Sequence, residues 1–108
     1  MTVDDFRGIA LGMPGASENA HMRHPDFRIR GKVFATLGYP DQAWGMVKLT
    51  PGQQRAFVQS DPAAFVPVKG AWGEKGSTNV RLSAAREDLL QEAMAAACSN
   101  VPAKSFRR

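Results

Sequence analysis

Arg28, Arg30 and Lys32 stand at alternate positions, interleaved with Phe27, Ile29, Val33 and Phe34. Guanidinium and ammonium groups so spaced suit phosphate contacts, as in β-ribbons that enter nucleic-acid grooves. The same charges also protect a hairpin tip and edge from aggregation. Trp44, Lys48 and Arg81 add an aromatic and two further cations. Aromatic platforms beside cations suit stacked bases or a protein partner. Metal chemistry has weaker support. His21 and His24, near Glu18 and Asp26, face opposite sides of a strand, and no third ligand has a recognisable spacing. Asp4 and Asp5 fall in a first helical turn, where acids complement the helix dipole. Gly70, Gly73 and Gly76 lack G-x-G spacing and no Gly-Lys-Ser/Thr follows, so they serve turns around Trp72 and not a phosphate loop. No set of nucleophile, base and orienting group is visible. The expectation is a non-enzymatic domain with no metal and no cofactor.

The elements that must position these residues follow from periodicity. Thr2 with Asp5 three residues on predicts a capping-box start, and Phe6, Ile9, Ala10 and Met13 mark one helix face until Pro14-Gly15. A short strand is expected over about residues 18–24. Asp26 to Leu37 alternates around Gly31 and predicts a β-hairpin. A three-residue loop, Arg30-Gly31-Lys32, would keep Phe27, Ile29, Val33, Ala35 and Leu37 on one covered face. A two-residue loop would set Lys32 beside Ile29, at greater cost. The three-residue loop sends Arg28, Phe34 and Thr36 outward, with Trp44, Met46, Lys48, Asn79 and Arg81. Ala43 to Leu49 alternates again. Thr50-Pro51-Gly52-Gln53 starts a second helix that ends near Asp61-Pro62. Residues 63–76 are the least regular. Thr78 to Leu82 is a last strand, with Val80 and Leu82 inward, and Ser83 caps a final helix carrying Leu89, Leu90, Ala93, Met94 and Ala97.

This order predicts one α+β domain over residues 1–103, a twisted and largely antiparallel sheet with helices packed on one face, followed by a basic tail at 104–108. The open face is the candidate binding surface. The alternatives are that loops, a terminal segment or a second copy cover it, or that the two faces are reversed.

With 108 residues, 44% hydrophobic and 22% charged, the chain has a globular composition. The net charge is +4, but Lys104, Arg107 and Arg108 lie in the tail; removing those three from 14 basic residues leaves 11 against 10 acidic ones. A basic patch must therefore come from placement rather than from overall charge. No apolar run approaches the roughly 18–20 residues of a membrane helix, and no signal peptide is visible. Cys98, the single cysteine, excludes an intrachain disulfide and suits a reducing cytoplasm; its alanine-rich helical surroundings favour a buried, inert thiol.

Phe27-Arg28-Ile29-Arg30-Gly31-Lys32-Val33-Phe34-Ala35, then Val47-Lys48-Leu49-Thr50, then Trp72-Gly73-x-x-Gly76-x-Thr78-x-Val80, resembles the MmcQ/YjbR family of small bacterial proteins over nearly the whole chain. The family often has Gly-Gly where this chain has Arg30-Gly31. The resemblance implies a frataxin-like α+β fold and a DNA-binding role, the latter by analogy with a double-wing arrangement of hairpins. Iron handling of the frataxin kind would need acid-rich helix edges, and the first helix offers only Asp4 and Asp5. The expected function is a small cytoplasmic binding domain with DNA as its ligand, contacted by Arg28, Arg30, Lys32, Lys48 and Arg81 through phosphates and by Phe34 and Trp44 through stacking or wedging. The alternative is a protein-interaction module or homodimer that uses Phe34, Trp44 and Met46.

Overall fold

The computed structural model of the chain describes residues 1–21 and 23–102. The side chain of His21 and the basic residues 104–108 of the expected tail lie outside the described residues. The element order is α1 (Val3–Leu11), β1 (Ser17–His21), β2 (His24–Ile29), β3 (Lys32–Leu37), β4 (Trp44–Lys48), α2 (Pro51–Ser60), β5 (Phe65–Pro67), α3 (Ala71–Glu74), β6 (Ser77–Arg81) and α4 (Glu87–Ser99). The strands form one six-stranded antiparallel sheet in the order β1-β2-β3-β4-β6-β5. The α+β class is as expected, α1 and α4 pack on one face, and the sheet is open.

Local chemistry explains the helix starts. Thr2 accepts from the Asp5 amide while the Asp5 carboxylate accepts from the Thr2 amide, and Thr50 with Gln53 repeats the device at α2. Each box satisfies two N–H groups that a helix leaves without internal partners. The expected cap at Ser83 is corrected: α4 starts at Glu87 with Arg86 in the cap position and no side-chain cap. Residues 82–84 form turns instead, with Ala84 and Ala85 donating to the carbonyls of Arg81 and Leu82.

The covered face buries Phe27, Ile29, Ala35, Leu37, Val47, Phe65 and Val80 against Phe6, Ile9 and Ala10 of α1 and Leu90, Ala93, Met94 and Ala97 of α4. Phe57 of α2 packs against Phe65 with the rings tilted and their centroids 5.3 Å apart. Gly45 supplies room for α1, since a Cβ there would meet the Phe6 ring. β5 was not visible in the sequence; it is a three-residue edge strand that ends in proline, where no inward donor is required.

The hairpin corrects the expected loop. Ile29 pairs with Lys32, so only Arg30 and Gly31 form the turn, with φ of 51° and 79° as in a type I′ turn. A bulge then restores the alternation. Phe27 faces Ala35 and Arg28 faces Val33, which leaves Phe34 as the extra residue on β3. Phe34 is fully buried beside Ala35 instead of pointing outward, and Val33 takes the outward place opposite Arg28. The cost foreseen for a two-residue loop does not arise, because Lys32 lies where the covered face ends and stays exposed.

Candidate nucleic-acid interface

Register sets the open face. Across β3, β4 and β6, Thr36 lies opposite Met46, Met46 opposite Asn79, Trp44 opposite Arg81, and Lys48 opposite Ser77. Directly opposed side chains share a face and sit about 4.5–5.5 Å apart at Cβ. The Arg81 guanidinium accordingly lies over the Trp44 ring, 4.4 Å from its centroid. At the other end of β4, the Lys48 ammonium lies 5.7 Å from the centroid of the Trp72 ring. Trp72 is 64% exposed. Two indoles therefore each have their own cation, Trp44 on the open face and Trp72 beside the Lys48 end of β4. A ring's π cloud holds a cation in place without neutralising it.

Arg28 also points to the open face, yet it is committed. Its Nε donates to Asp26 Oδ1 at 2.9 Å and its Nη2 to Oδ2 at 3.1 Å. The hydrogen bonds to Asp26, with its negative charge, raise the Arg28 pKa above the ordinary arginine value. Arg30 is committed as well: Nε donates to the Pro102 carbonyl and Nη2 to the Val101 carbonyl, both at 2.8 Å. It fastens the hairpin turn to the segment that follows α4. Lys32 is exposed at that same end of the sheet. Of the seven residues expected to bind, Arg28, Trp44, Lys48 and Arg81 share the open face. Arg30 and Lys32 turn to the sheet's end, and Phe34 is removed by its burial.

Sequence reasoning passed over Trp72 as a ligand-facing group, although the Trp72-Gly73-x-x-Gly76 pattern was a usable signal. A Cβ on Gly73 would overlap the Val68 carbonyl, and one on Gly76 would overlap the Leu49 carbonyl. Gln54 of α2 donates to the carbonyls of Gly73 and Ser77, both at 3.0 Å. These close approaches seat the single turn of α3 against its neighbours and bring Trp72 beside Lys48.

Among the described residues, no three His, Cys, Asp or Glu side chains gather in a group that could hold a metal ion. Cys98 is half-buried, and that burial pushes its thiol pKa up to about 11, with Arg30 opposing weakly. A thiol so placed stays protonated near neutrality and is a poor nucleophile. Among the described residues no helix is long and apolar enough to cross a membrane.

The fold has a solved counterpart. The crystal structure of Deinococcus radiodurans protein DR2400, described as a DUF419 domain, superposes with a TM-score of 0.72 over 90% of this chain and 75% of its own, at 18% identity. At that identity the likeness concerns the fold alone. None of the curated proteins matches the chain. The family model described as YjbR matches residues 11–97, a span that holds the hairpin, the β4 lysine and the tryptophan–glycine turn. The chain belongs to the YjbR family.

Proposed function

We propose that this chain is a non-enzymatic DNA-binding domain that uses the open sheet face, with single strands preferred over duplex. The observation that carries the reading is the pair of cation-paired indoles, Arg81 over Trp44 and Lys48 by Trp72, at the two ends of β4. Bases unstacked from a single strand lie on such rings, while the adjacent cations meet the backbone phosphates. Asp26 adds little repulsion, since Arg28 compensates its charge. The bacterial cytoplasm, where Cys98 would stay reduced, is the setting this reading implies.

Fluorescence anisotropy of labelled single-stranded and duplex DNA over a salt series tests it. Affinity should fall steeply with salt as counterions are released, and single strands should reach half-saturation at a lower protein concentration than duplex. Absence of binding at low salt with about 100 μM protein defeats the DNA reading. A turnover activity lost on Lys48→Ala or Arg81→Ala would defeat its non-enzymatic part.

A second reading has its own observation. Val33, Trp44, Met46 and Val66 are only half-buried and lie on the open face, which suits self-association or a protein partner. Sedimentation of the chain alone separates the two: a dimer abolished by Met46→Lys would favour this reading over DNA.

A further inference from the structure

Lys32 of β3, Lys48 of β4 and Lys75, which closes α3, come from three separate elements and line one groove at the end of the sheet. The groove has a volume of about 300 Å³, the lower end of what small-molecule sites offer. No carboxylate lines it. Among the described residues none of the three lysines forms a salt bridge. Like charges gathered on one cavity repel one another, and a bound anion converts that repulsion into attraction. The first turn of α2 also opens here through Thr50 and Pro51. That helix has ten residues and no acid in its first turn. The positive end of its dipole therefore lies beside the groove and favours a negative charge there. Val33, Leu49 and Val101 supply apolar walls.

Three lysines lining one open groove call for a compact multiple charge. A phosphomonoester carries about −1.5 to −2 near neutrality and three acceptor oxygens, whereas a carboxylate carries one charge. The apolar walls suit the organic body attached to it. We propose that this groove binds a phosphomonoester dianion, carried by a free small molecule or by the phosphorylated end of a nucleic-acid strand. Neither tryptophan lines the groove, but Lys48 belongs to both sites, so the test substitutes Lys32 and Lys75 alone.

The probe is inorganic phosphate, titrated into the full chain at constant ionic strength and followed by amide NMR. The expected result is a saturable shift of the Leu49, Thr50 and Lys75 amides, whose residues line the groove. Lys32→Gln and Lys75→Gln should each weaken it about tenfold, the scale of a lost charge-assisted hydrogen bond. Lys69→Gln, an exposed lysine that does not line the groove, should leave it unchanged. The substituted side chains are all exposed, and each variant's own spectrum reports whether it is folded. No saturable shift up to about 10 mM phosphate overturns the assignment, as does an equal response in the Lys32 and Lys75 variants. A second arm compares 5′-phosphorylated with 5′-hydroxyl oligonucleotides. Tighter binding of the phosphorylated strand, displaced by inorganic phosphate, assigns the strand end. Equal binding of the two strands, with phosphate still saturating, assigns the small molecule. A phosphate response without any DNA binding removes the open-face reading alone.

Discussion

Asp26 and Arg28 lie on the same side of β2 and close on each other in a two-pronged ion pair, at 2.9 and 3.1 Å. The Asp26 side chain is almost wholly buried, at 5% exposure, while that of Arg28 reaches solvent. Removing the arginine leaves a buried charge without its partner, whereas removing the acid releases an arginine that water can solvate. We expect Arg28→Ala to lower stability more than Asp26→Asn, and the double variant to lose less than the two single losses together. A double-mutant cycle in urea checks this, and additive losses would show that the pair is uncoupled. The same commitment predicts that Arg28→Ala changes the salt dependence of DNA binding less than Arg81→Ala.

Phe34 is the bulged residue of β3 and has no exposed surface. We expect Phe34→Ala to cost about 3–5 kcal/mol through lost burial and the cavity left behind. That is a large share of the roughly 5–15 kcal/mol that holds a domain of this size. Urea unfolding would show a lower midpoint with a similar slope, and an unchanged midpoint would mean that the side chain is not in the core. Any binding lost on this substitution would report unfolding rather than a missing stacking group.

The hairpin explains what was legible in the sequence and what was not. Alternation identified β2, β3, β4 and β6 because each has one buried face and a period of two. It failed at Phe34, since a single extra residue reverses the side-chain direction and leaves no mark in a strand rich in apolar groups. Capping residues identified α1 and α2 from Thr2 and Thr50, but Ser83 offered the same chemistry three residues too early. Of the candidate site, Trp44, Lys48 and Arg81 were legible because cross-strand register follows from alternation. The commitments of Arg28 and Arg30 were not, because one depends on a buried acid and the other on carbonyls more than 70 positions away. Trp72 was hidden by its place in an irregular stretch that only tertiary contacts order.

Gly73 tests that ordering. Its missing Cβ makes room for a backbone carbonyl, that of Val68, which cannot turn aside as a side chain would. We expect Gly73→Ala to cost about 1–3 kcal/mol, read as a fall of several degrees in Tm. The displaced turn should also carry Trp72 away from Lys48 and shift the indole emission. Gln54→Ala, which removes the two bonds to the carbonyls of Gly73 and Ser77, should shift the emission in the same direction. Retained Tm and emission in both variants would show that α3 is seated by other contacts.

Cys98 supplies a pH dependence with a definite sign. Burial favours the neutral thiol and moves its pKa from the ordinary 9.0 to about 11 in the folded chain. The resulting stabilisation is fully present below pH 9.0 and is lost as pH rises through 11. Two pKa units correspond to about a hundredfold smaller thiolate fraction at pH 8. Alkylation by iodoacetamide at that pH should therefore be about a hundredfold slower in the folded protein than in urea. Equal rates in the two states would remove the shift. A cysteine this inert also leaves little room for thiol chemistry at the domain's surface.

Trp72 gives the sharpest test of the open face because its exposure separates binding from folding. An indole that is 64% exposed contributes little to the core, so Trp72→Ala should change stability by no more than about 0.5 kcal/mol. On single-stranded DNA the same change should cost about 1–3 kcal/mol, or roughly fivefold to more than a hundredfold in affinity. The indole carries no charge, so the salt slope should stay as it was. Lys48→Ala and Arg81→Ala should do the opposite, each lowering the log–log slope by roughly 0.7 as one phosphate contact is lost on a single strand. Trp44 is less useful as a probe, since it is half-buried and its removal mixes folding with binding. Loss of affinity without loss of slope at Trp72, and loss of slope at Lys48 and Arg81, would together identify stacking beside phosphate contact. A Trp72→Ala protein that binds as tightly as the parent would leave the exposed ring without a role on DNA and shift the weight to self-association through Met46 and Trp44.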